Sequence, residues 1–265
     1  MVNFEFKEKY DISDLLKIME ILRGPEGCPW DAEQDHKSIR SNFIEEVYEA
    51  IEAIDTDNTS LLREELGDVL LQIVFHAQME NEEGRFDFDD VANDICQKLI
   101  IRHPHVFGDV KVNNSDEVLT NWDEIKKKTK SQDSQTETMK SVSNALPALM
   151  RSQKVQKKAA KVGFDWDNIS DVVARLEEEV EELKQAIASK DIDAQQDELG
   201  DVLFSAVNVS RFINVDPEHT LTLATDKFIS RFALVEKLAV ERGVDMKHAS
   251  LEELDCLWDD AKKML

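Results

Sequence analysis

The chain has 265 residues, the length of one large domain or two small ones, and its 32 Lys and Arg face 56 Asp and Glu, a net charge of −24. So acidic a surface repels phosphate backbones, so binding to a DNA or RNA backbone is excluded as an expectation, whereas cations are attracted. Three scattered cysteines (Cys28, Cys96, Cys256), an N-terminal segment without an apolar signal core, and a longest apolar run (69–75, broken by Gln72) too short to span a membrane predict a reduced, cytoplasmic protein without membrane partners.

Helical periodicity dominates the chain. Ile12, Leu15, Leu16, Met19 and Leu22 follow the i, i+3, i+4, i+7 rule and predict a first helix. Ile39, Phe43, Val47, Ile51 and Ile54 predict a second, and Leu66, Val69, Leu70 and Ile73 a third. The stretches 170–190, 195–214, 217–242 and 251–264 read the same way. Asp216-Pro217 has the form of an N-cap followed by proline at the first helical position, and Ser250 with Glu253 that of a capping box. Strand alternation is nearly absent; Val110–Val112 is at most a scrap of extended chain. The expected fold class is all-α. The polar stretch 126–145 has no apolar period and reads as a linker or mobile loop, which gives an N-terminal domain over 1–125 and a C-terminal domain over 146–265.

The two halves resemble each other. IEEVYEAIEAI (44–54) and REELGDVLLQIVF (63–75) recur as EEEVEELKQAI (177–187) and QDELGDVLFSAVN (196–208). Glu45 and Glu178 stand 133 positions apart, as do Glu65 and Glu198. Lys98-x-x-x-Arg102 answers Lys227-x-x-x-Arg231 at 129, and Trp30-Asp31 answers Trp166-Asp167 at 136. Ordered matches at nearly one offset establish an internal duplication, so each half is expected to be a small helical unit.

Each half carries E-E-x-x-E on one helix and E-x-x-D on the next: Glu45, Glu46, Glu49 with Glu65, Asp68, and Glu178, Glu179, Glu182 with Glu198, Asp201. At about 100° per residue the three acids of E-E-x-x-E fall within roughly one 100° sector beside the apolar stripe. A short connection forces the two helices antiparallel, so the acids meet. Facing carboxylates repel, and a divalent cation relieves them; an all-oxygen set favours Mg²⁺ or Mn²⁺ over zinc. A single acidic run is ordinarily a solvated helix face, but the second acidic pair and the recurrence in both halves favour a site. Gly67 and Gly200 each cost about 1 kcal/mol inside a helix, which points to close helix packing or to access for a ligand. His103-x-His105 lacks a third nitrogen or sulfur ligand nearby and is expected to pack a loop. Asp55-x-Asp57 and Asp87-x-Asp89 lack the glycine and glutamate of a Ca²⁺ loop.

E-E-x-x-E followed by E-x-x-D across two helices resembles the all-α nucleoside triphosphate pyrophosphohydrolases, and the two-domain MazG type in particular. GCPWD (27–31), the first acidic set, RHPHVFG (102–108), LPALMRSQKVQKKA (146–159), VGFDWD (162–167) and the second acidic set stand in the MazG order over nearly the whole chain. The resemblance implies two tandem MazG-like helical bundles, a Mg²⁺-dependent conversion of NTP and water to NMP and pyrophosphate, and a homodimer in which helices of both subunits pack together. It implies Glu179, Glu182, Glu198 and Asp201 as metal ligands, with Glu46, Glu49, Glu65 and Asp68 as a second, N-terminal set. Glu178 is the candidate to orient or deprotonate the water; metal binding or a purely electrostatic role is the alternative.

A triphosphate needs cations besides the metal. Lys227 and Arg231, at i and i+4, can reach it from one helix face, unless they are a solvated basic face. Lys262 lies one turn after Trp258, which either stacks on a base or fills a core. Arg175, one turn before Glu179, touches phosphate or simply pairs with that acid. Lys161 is a further candidate. No Asn or Gln is marked out as a base reader, so broad base specificity and a house-cleaning role on the nucleotide pool are expected. Lys98-x-x-x-Arg102 runs into His103-Pro104, where helix is disfavoured, whereas Lys227-x-x-x-Arg231 continues without a breaker. The C-terminal half is therefore expected to be the main catalytic unit. The competing reading is an acidic helical scaffold without catalysis.

Overall fold

A computed structural model describes residues 4–112 and 134–264, together with residues 114, 117, 118, 121, 122 and 125. No strand occurs among the described residues, Val110–Val112 included. They fall into two units, within 1–126 and 127–265.

The N-terminal unit contains α1 (Ile12–Arg23), α2 (Pro29–Glu33), α3 (Arg40–Asp55), α4 (Thr59–Glu82), α5 (Phe88–Arg102) and α6 (Pro104–Phe107). The Asp11 carboxylate accepts from the amides of Ser13 and Asp14, while Asp14 accepts from the Asp11 amide, which starts α1. Asp87 and Asp90 start α5 in the same way, and Asp89 stands in its first turn. α3 and α4 lie against each other, joined by a three-residue turn, and α1 packs on α4. Met19, Ile39, Val74, Phe75 and Met79 form the core, each contributing about 1.5–3 kcal/mol of burial. Arg23 is nearly buried. It donates to both Glu82 oxygens at 2.8 Å and to the carbonyls of Asp31 at 2.6 Å and Gln34 at 3.2 Å, pinning the intervening loop to α4. A Cβ on Gly27 would collide with the carbonyl oxygens of Ile21 and Leu22, so the loop needs glycine there.

The C-terminal unit contains α7 (Gln135–Lys140), α8 (Ala148–Ala160), α9 (Ile169–Ser189), α10 (Ile192–Phe212), α11 (Pro217–Arg242) and α12 (Leu251–Met264). Helix α7 corrects the linker expected over 126–145. Ser134 and Glu137 cap it reciprocally, Thr138 and Val142 are buried, and it packs on α8. Two buried side chains in so polar a stretch are too few to show an apolar period. Residues 126–133 of that expected linker lie outside the described residues.

α9 and α10 pack as α3 and α4 do, and Val172, Ala186 and Val207 on these two helices are buried. The turns between the helices repeat as well. Asp57 (φ 52°) is followed by Asn58, which caps α4, and Lys190 (φ 60°) by Asp191, which caps α10. A left-handed residue before an Asx cap thus recurs at the 133-residue offset of the acids. α8 is tied to its neighbours by two buried amides: Gln153 Nε2 donates to the Val215 carbonyl at 3.1 Å, and Gln156 Nε2 to the Phe204 carbonyl at 2.8 Å. Asp216 and Pro217 start α11, and Ser250 with Glu253 starts α12. These two helices form a hairpin with its own core of Val235, Leu238, Ala239, Leu257 and Ala261. Every residue from 219 to 230 is exposed, Leu221, Leu223, Phe228 and Ile229 among them. No helix among the described residues is long and apolar enough to cross a membrane.

Candidate metal and nucleotide site

The carboxylates of both halves converge. Glu46 and Glu49 on α3 meet Glu65 on α4, and Glu179 and Glu182 on α9 meet Glu198 on α10; in each set one oxygen per residue lies within 4.8 Å of the others. The helical spacing of E-E-x-x-E turns its second and third acids toward the neighbouring helix and leaves the first, Glu45 or Glu178, exposed. Asp68 and Asp201 stand one turn beyond Glu65 and Glu198. They fall outside the three-carboxylate groups, but their charges act on Glu46 and Glu179 respectively.

The electrostatics are those of a site short of positive charge. Burial, and then the charges of Asp68, Glu49 and Glu45, hold the Glu46 carboxyl above the usual carboxylate range. Burial and Glu49 do the same to Glu65. Glu179 is 4% exposed and is also pushed up by burial, an effect that Arg175 opposes. Its Oε2 is buried and has no hydrogen-bond partner. An orphaned carboxylate oxygen facing two further carboxylates fits a hard divalent cation.

The two sets differ in one respect. Arg175 lies across the C-terminal acids, 2.7 Å from Glu179, 3.0 Å from Glu178 and 3.9 Å from Glu182. The ion pair with Glu179 is thus present, within a wider bridge. At the equivalent place, 133 positions earlier, the N-terminal half has Asn42.

Gly67 and Gly200 do not mark close helix packing. A Cβ at either position meets nothing within 4 Å. Both glycines leave open space beside the acids, and Gly200 and Asp201 line a shallow cleft with Asp193 and Asp197.

The other substrate candidates lie elsewhere in the unit. Lys227, Arg231, Trp258 and Lys262 sit on the α11–α12 hairpin. Lys262 pairs with Asp259 at 2.8 Å. Trp258 packs against the hairpin core and against Phe228, with ring centroids 5.1 Å apart. The Arg231 Nε is buried without a hydrogen-bond partner. Lys161 follows α8 at its C-terminal end and is exposed. In the N-terminal half α5 ends at Arg102, whose guanidinium lies over the Trp122 ring. His103 Nδ1 is taken by the Leu99 carbonyl at 2.6 Å.

Two groupings went unread in the sequence. His36 and His76 share an Nδ1–Nδ1 contact of 2.7 Å, and His36 Nε2 reaches Glu80 at 2.6 Å. In the C-terminal unit, Gln156, Phe164, Trp166 and Phe204 meet around a cavity of about 520 Å³. The VGFDWD segment was the visible signal for the second; nothing along the chain links it to Gln156 or Phe204.

Facing carboxylates on paired antiparallel helices, present twice in one all-α chain, define a duplicated helical protein built around two potential cation sites. The MazG nucleotide pyrophosphohydrolase domain matches residues 34–107 and 168–235, and the chain belongs to this family. It is 45% identical over 249 residues to the nucleoside triphosphate pyrophosphohydrolase/pyrophosphatase MazG of Thermotoga maritima, covering 94% of each chain. It is 43% identical over 255 residues to a nucleoside triphosphate pyrophosphohydrolase of Escherichia coli K12, covering 95% of this chain and 97% of the relative. It is also 46% identical to the protein YabN of Bacillus subtilis, of which it covers 52%.

Proposed function

We propose that this chain is a Mg²⁺-dependent nucleoside triphosphate pyrophosphohydrolase that converts NTPs to NMP and pyrophosphate with little regard to the base. In this reading it serves to clear unwanted nucleotides from the cytoplasm. The observation that carries the reading is the C-terminal carboxylate set with its orphaned Glu179 oxygen, in a chain of the MazG family. Glu179, Glu182 and Glu198 hold the cation, with Asp201 as a further ligand; Mn²⁺ can substitute, because the donors are all hard oxygens. Bound Mg²⁺ polarises phosphate oxygens and lowers the pKa of coordinated water.

The chain's own groups do the rest. Glu178, exposed beside the set and paired with Arg175 at 3.0 Å, orients the attacking water or takes its proton. Arg175 offsets charge where the triphosphate arrives, which supports the C-terminal half as the main catalytic unit. The N-terminal set, Glu46, Glu49, Glu65 and Asp68, lacks that cation and serves as a second metal site. Lys227, Arg231, Lys262 and Lys161 supply further positive charge for the phosphates.

A homodimer belongs to the same reading. Val173, Val180 and Ile187 form a heptad-spaced apolar stripe on α9, Leu199 and Leu203 another on α10, and all five are exposed. The bare stretch of α11 that carries Lys227 also needs cover. A second copy packing its helices on these faces hides the stripes and brings cations and carboxylates of different subunits close together.

The test is incubation of the purified protein with Mg²⁺ and a panel of NTPs and dNTPs, with products resolved by anion exchange. NMP and pyrophosphate from most bases are expected. NDP and phosphate overturn the reaction assignment, and no turnover by folded protein favours an acidic scaffold that uses the exposed stripes for a partner.

A further inference from the structure

The histidine pair of the N-terminal unit takes no part in the phosphate chemistry. His36 stands in the 34–39 connection between α2 and α3, and His76 stands on α4. Their rings are inclined by only 9°, with centroids 5.0 Å apart and Nδ1 atoms 2.7 Å apart. The nitrogen gap and one ring radius at either end make up the whole centroid separation. The two imidazoles therefore meet edge to edge in nearly one plane, nitrogen facing nitrogen. At that distance the contact is a hydrogen bond, and it holds a single proton.

The surroundings fix where that proton belongs. Arg85 donates to both oxygens of Glu80, from Nη2 at 3.1 Å and from Nε. This pairing holds the Glu80 carboxyl below its ordinary range, so Glu80 is an ionised acceptor. Its Oε1 accepts from His36 Nε2 at 2.6 Å. A neutral His36 with its hydrogen on Nε2 has a bare Nδ1, so the hydrogen between the rings comes from His76 Nδ1. His76 Nε2 is then the bare end of a chain that runs through His36 and Glu80 to Arg85. Nearby charges are engaged with other groups. Asp35 accepts from the amides of Lys37 and Ser38, each at 2.8 Å, Glu83 lies 3.8 Å from Arg85, and Arg23 of α1 pairs with Glu82. From α3 the pair meets the Phe43 ring, 5.6 Å from that of His76. Burial, and then His36, hold the His76 pKa below its ordinary value; no charge from α1, α3 or α5 acts on it among the described residues.

Such a pair takes up protons in two unequal steps. The first goes to His76 Nε2 and leaves the central bond intact, since one Nδ1 still donates and the other accepts. The second sets N–H against N–H across the gap and forces the rings apart. What the central bond holds is the 34–39 connection. Arg23 pins one end of it through the Gln34 carbonyl at 3.2 Å, and Ile39, 2% exposed, anchors the other end in the core. Between those ends His36 joins it to α4, and α3 begins directly after it at Arg40.

We infer that His36 and His76 form a proton-operated latch: with no more than one added proton it fastens the 34–39 connection to α4, and with both rings charged it lets go and frees the entry to α3. The device is confined to the N-terminal half, because 133 positions further on the chain has Ile169 and Val209. A zinc-type site fits the pair less well. Metal bonds of about 2.0–2.1 Å to both facing nitrogens need a wider gap, and Glu80 engages the far nitrogen of His36. The sign of the pH dependence follows from burial. The folded chain charges His76 at lower pH than the unfolded chain does. The stability that the latch contributes is therefore full above about pH 6.5 and is lost as pH falls through the folded value.

Hydrogen exchange of the whole chain, read by mass spectrometry and corrected for the chemical exchange rate, tests the latch. Protection of the amides of 34–43 is expected to fall about tenfold or more from about pH 7.5 to about pH 5, while that of α9 and α10 holds. His76→Phe should show the low protection at both pH values. Nitrogen NMR of the histidines in unaltered protein needs no variant to fold. Near neutral pH His36 should carry its hydrogen on Nε2 and His76 on Nδ1, and the pair should titrate in two separated steps. Equal protection of 34–43 at both pH values, or rings in the same tautomer that titrate independently, overturns the inference. Zn²⁺ that binds through both rings at neutral pH also overturns it, and makes the pair a metal site instead.

Discussion

Arg175 shows how closely the C-terminal acids are balanced. It bridges Glu178, Glu179 and Glu182 where the N-terminal set has no arginine. Arg175→Ala should lower the Tm of the metal-free protein and enlarge the Tm gain on adding Mg²⁺, since the cation then relieves a larger repulsion. Thermal scans with and without Mg²⁺ check both directions; an unchanged metal response speaks against a cation at these acids. A second residue-scale prediction concerns Asp165. Its hydrogen bonds to Arg211 hold its carboxyl below the usual range. A group depressed in the folded state stabilises above its unfolded pKa, and that stability is lost as pH falls through the folded value. Asp165→Asn should therefore cost about 2 kcal/mol near neutral pH, and the gap from the unaltered protein should close on acidification below about pH 4. Denaturant melts at the two pH values measure it. At this scale the sequence was readable for the acids, because E-E-x-x-E places its members by helical period alone. Gln156 was not readable, because its partner Phe204 lies 48 positions away and only the packing of α8 on α10 joins them.

Among the elements, α10 holds the most compressed information. Gly200 weakens it, yet nothing stands where its side chain would be. Gly200→Ala should stabilise the protein by about 1 kcal/mol and at the same time slow NTP turnover, because the methyl group enters the open space beside Asp201. Rising Tm with unchanged turnover would show that the glycine keeps nothing clear. The exposed stripes of α9 and α10 make a different prediction. Val180→Glu should convert a dimer to monomers in light scattering, through a charge placed in an apolar interface. A monomer before the substitution would remove the interface altogether. Long helices and their caps were legible, since Asp216-Pro217 and Ser250–Glu253 are local signals. Helix α7 was hidden in a polar stretch because Thr138 is its one buried residue, with Val142 buried just beyond its end. Between packing and access the sequence could not choose for the glycines, because it records a missing side chain without recording what faces it.

For the whole molecule, duplication is the organising fact. Acids, left-handed turn residues and helix caps recur 133 positions apart, so both halves gather facing carboxylates in the same way. The halves diverge beside the acids: Arg175 bridges the C-terminal set, and Asn42 stands at the equivalent place in the N-terminal half. A net charge of −24 makes divalent cations the natural counterions of such a chain. On the proposed reading the phosphate chain is cut at the C-terminal carboxylates. Pyrophosphate release from ATP in Mg²⁺, compared among the unaltered protein, Glu179→Gln and Glu46→Gln, tests it most directly. A fall of about a hundredfold or more in Glu179→Gln, with most activity kept in Glu46→Gln, is the expected result; the reverse pattern would move the working site to the N-terminal half and contradict the account.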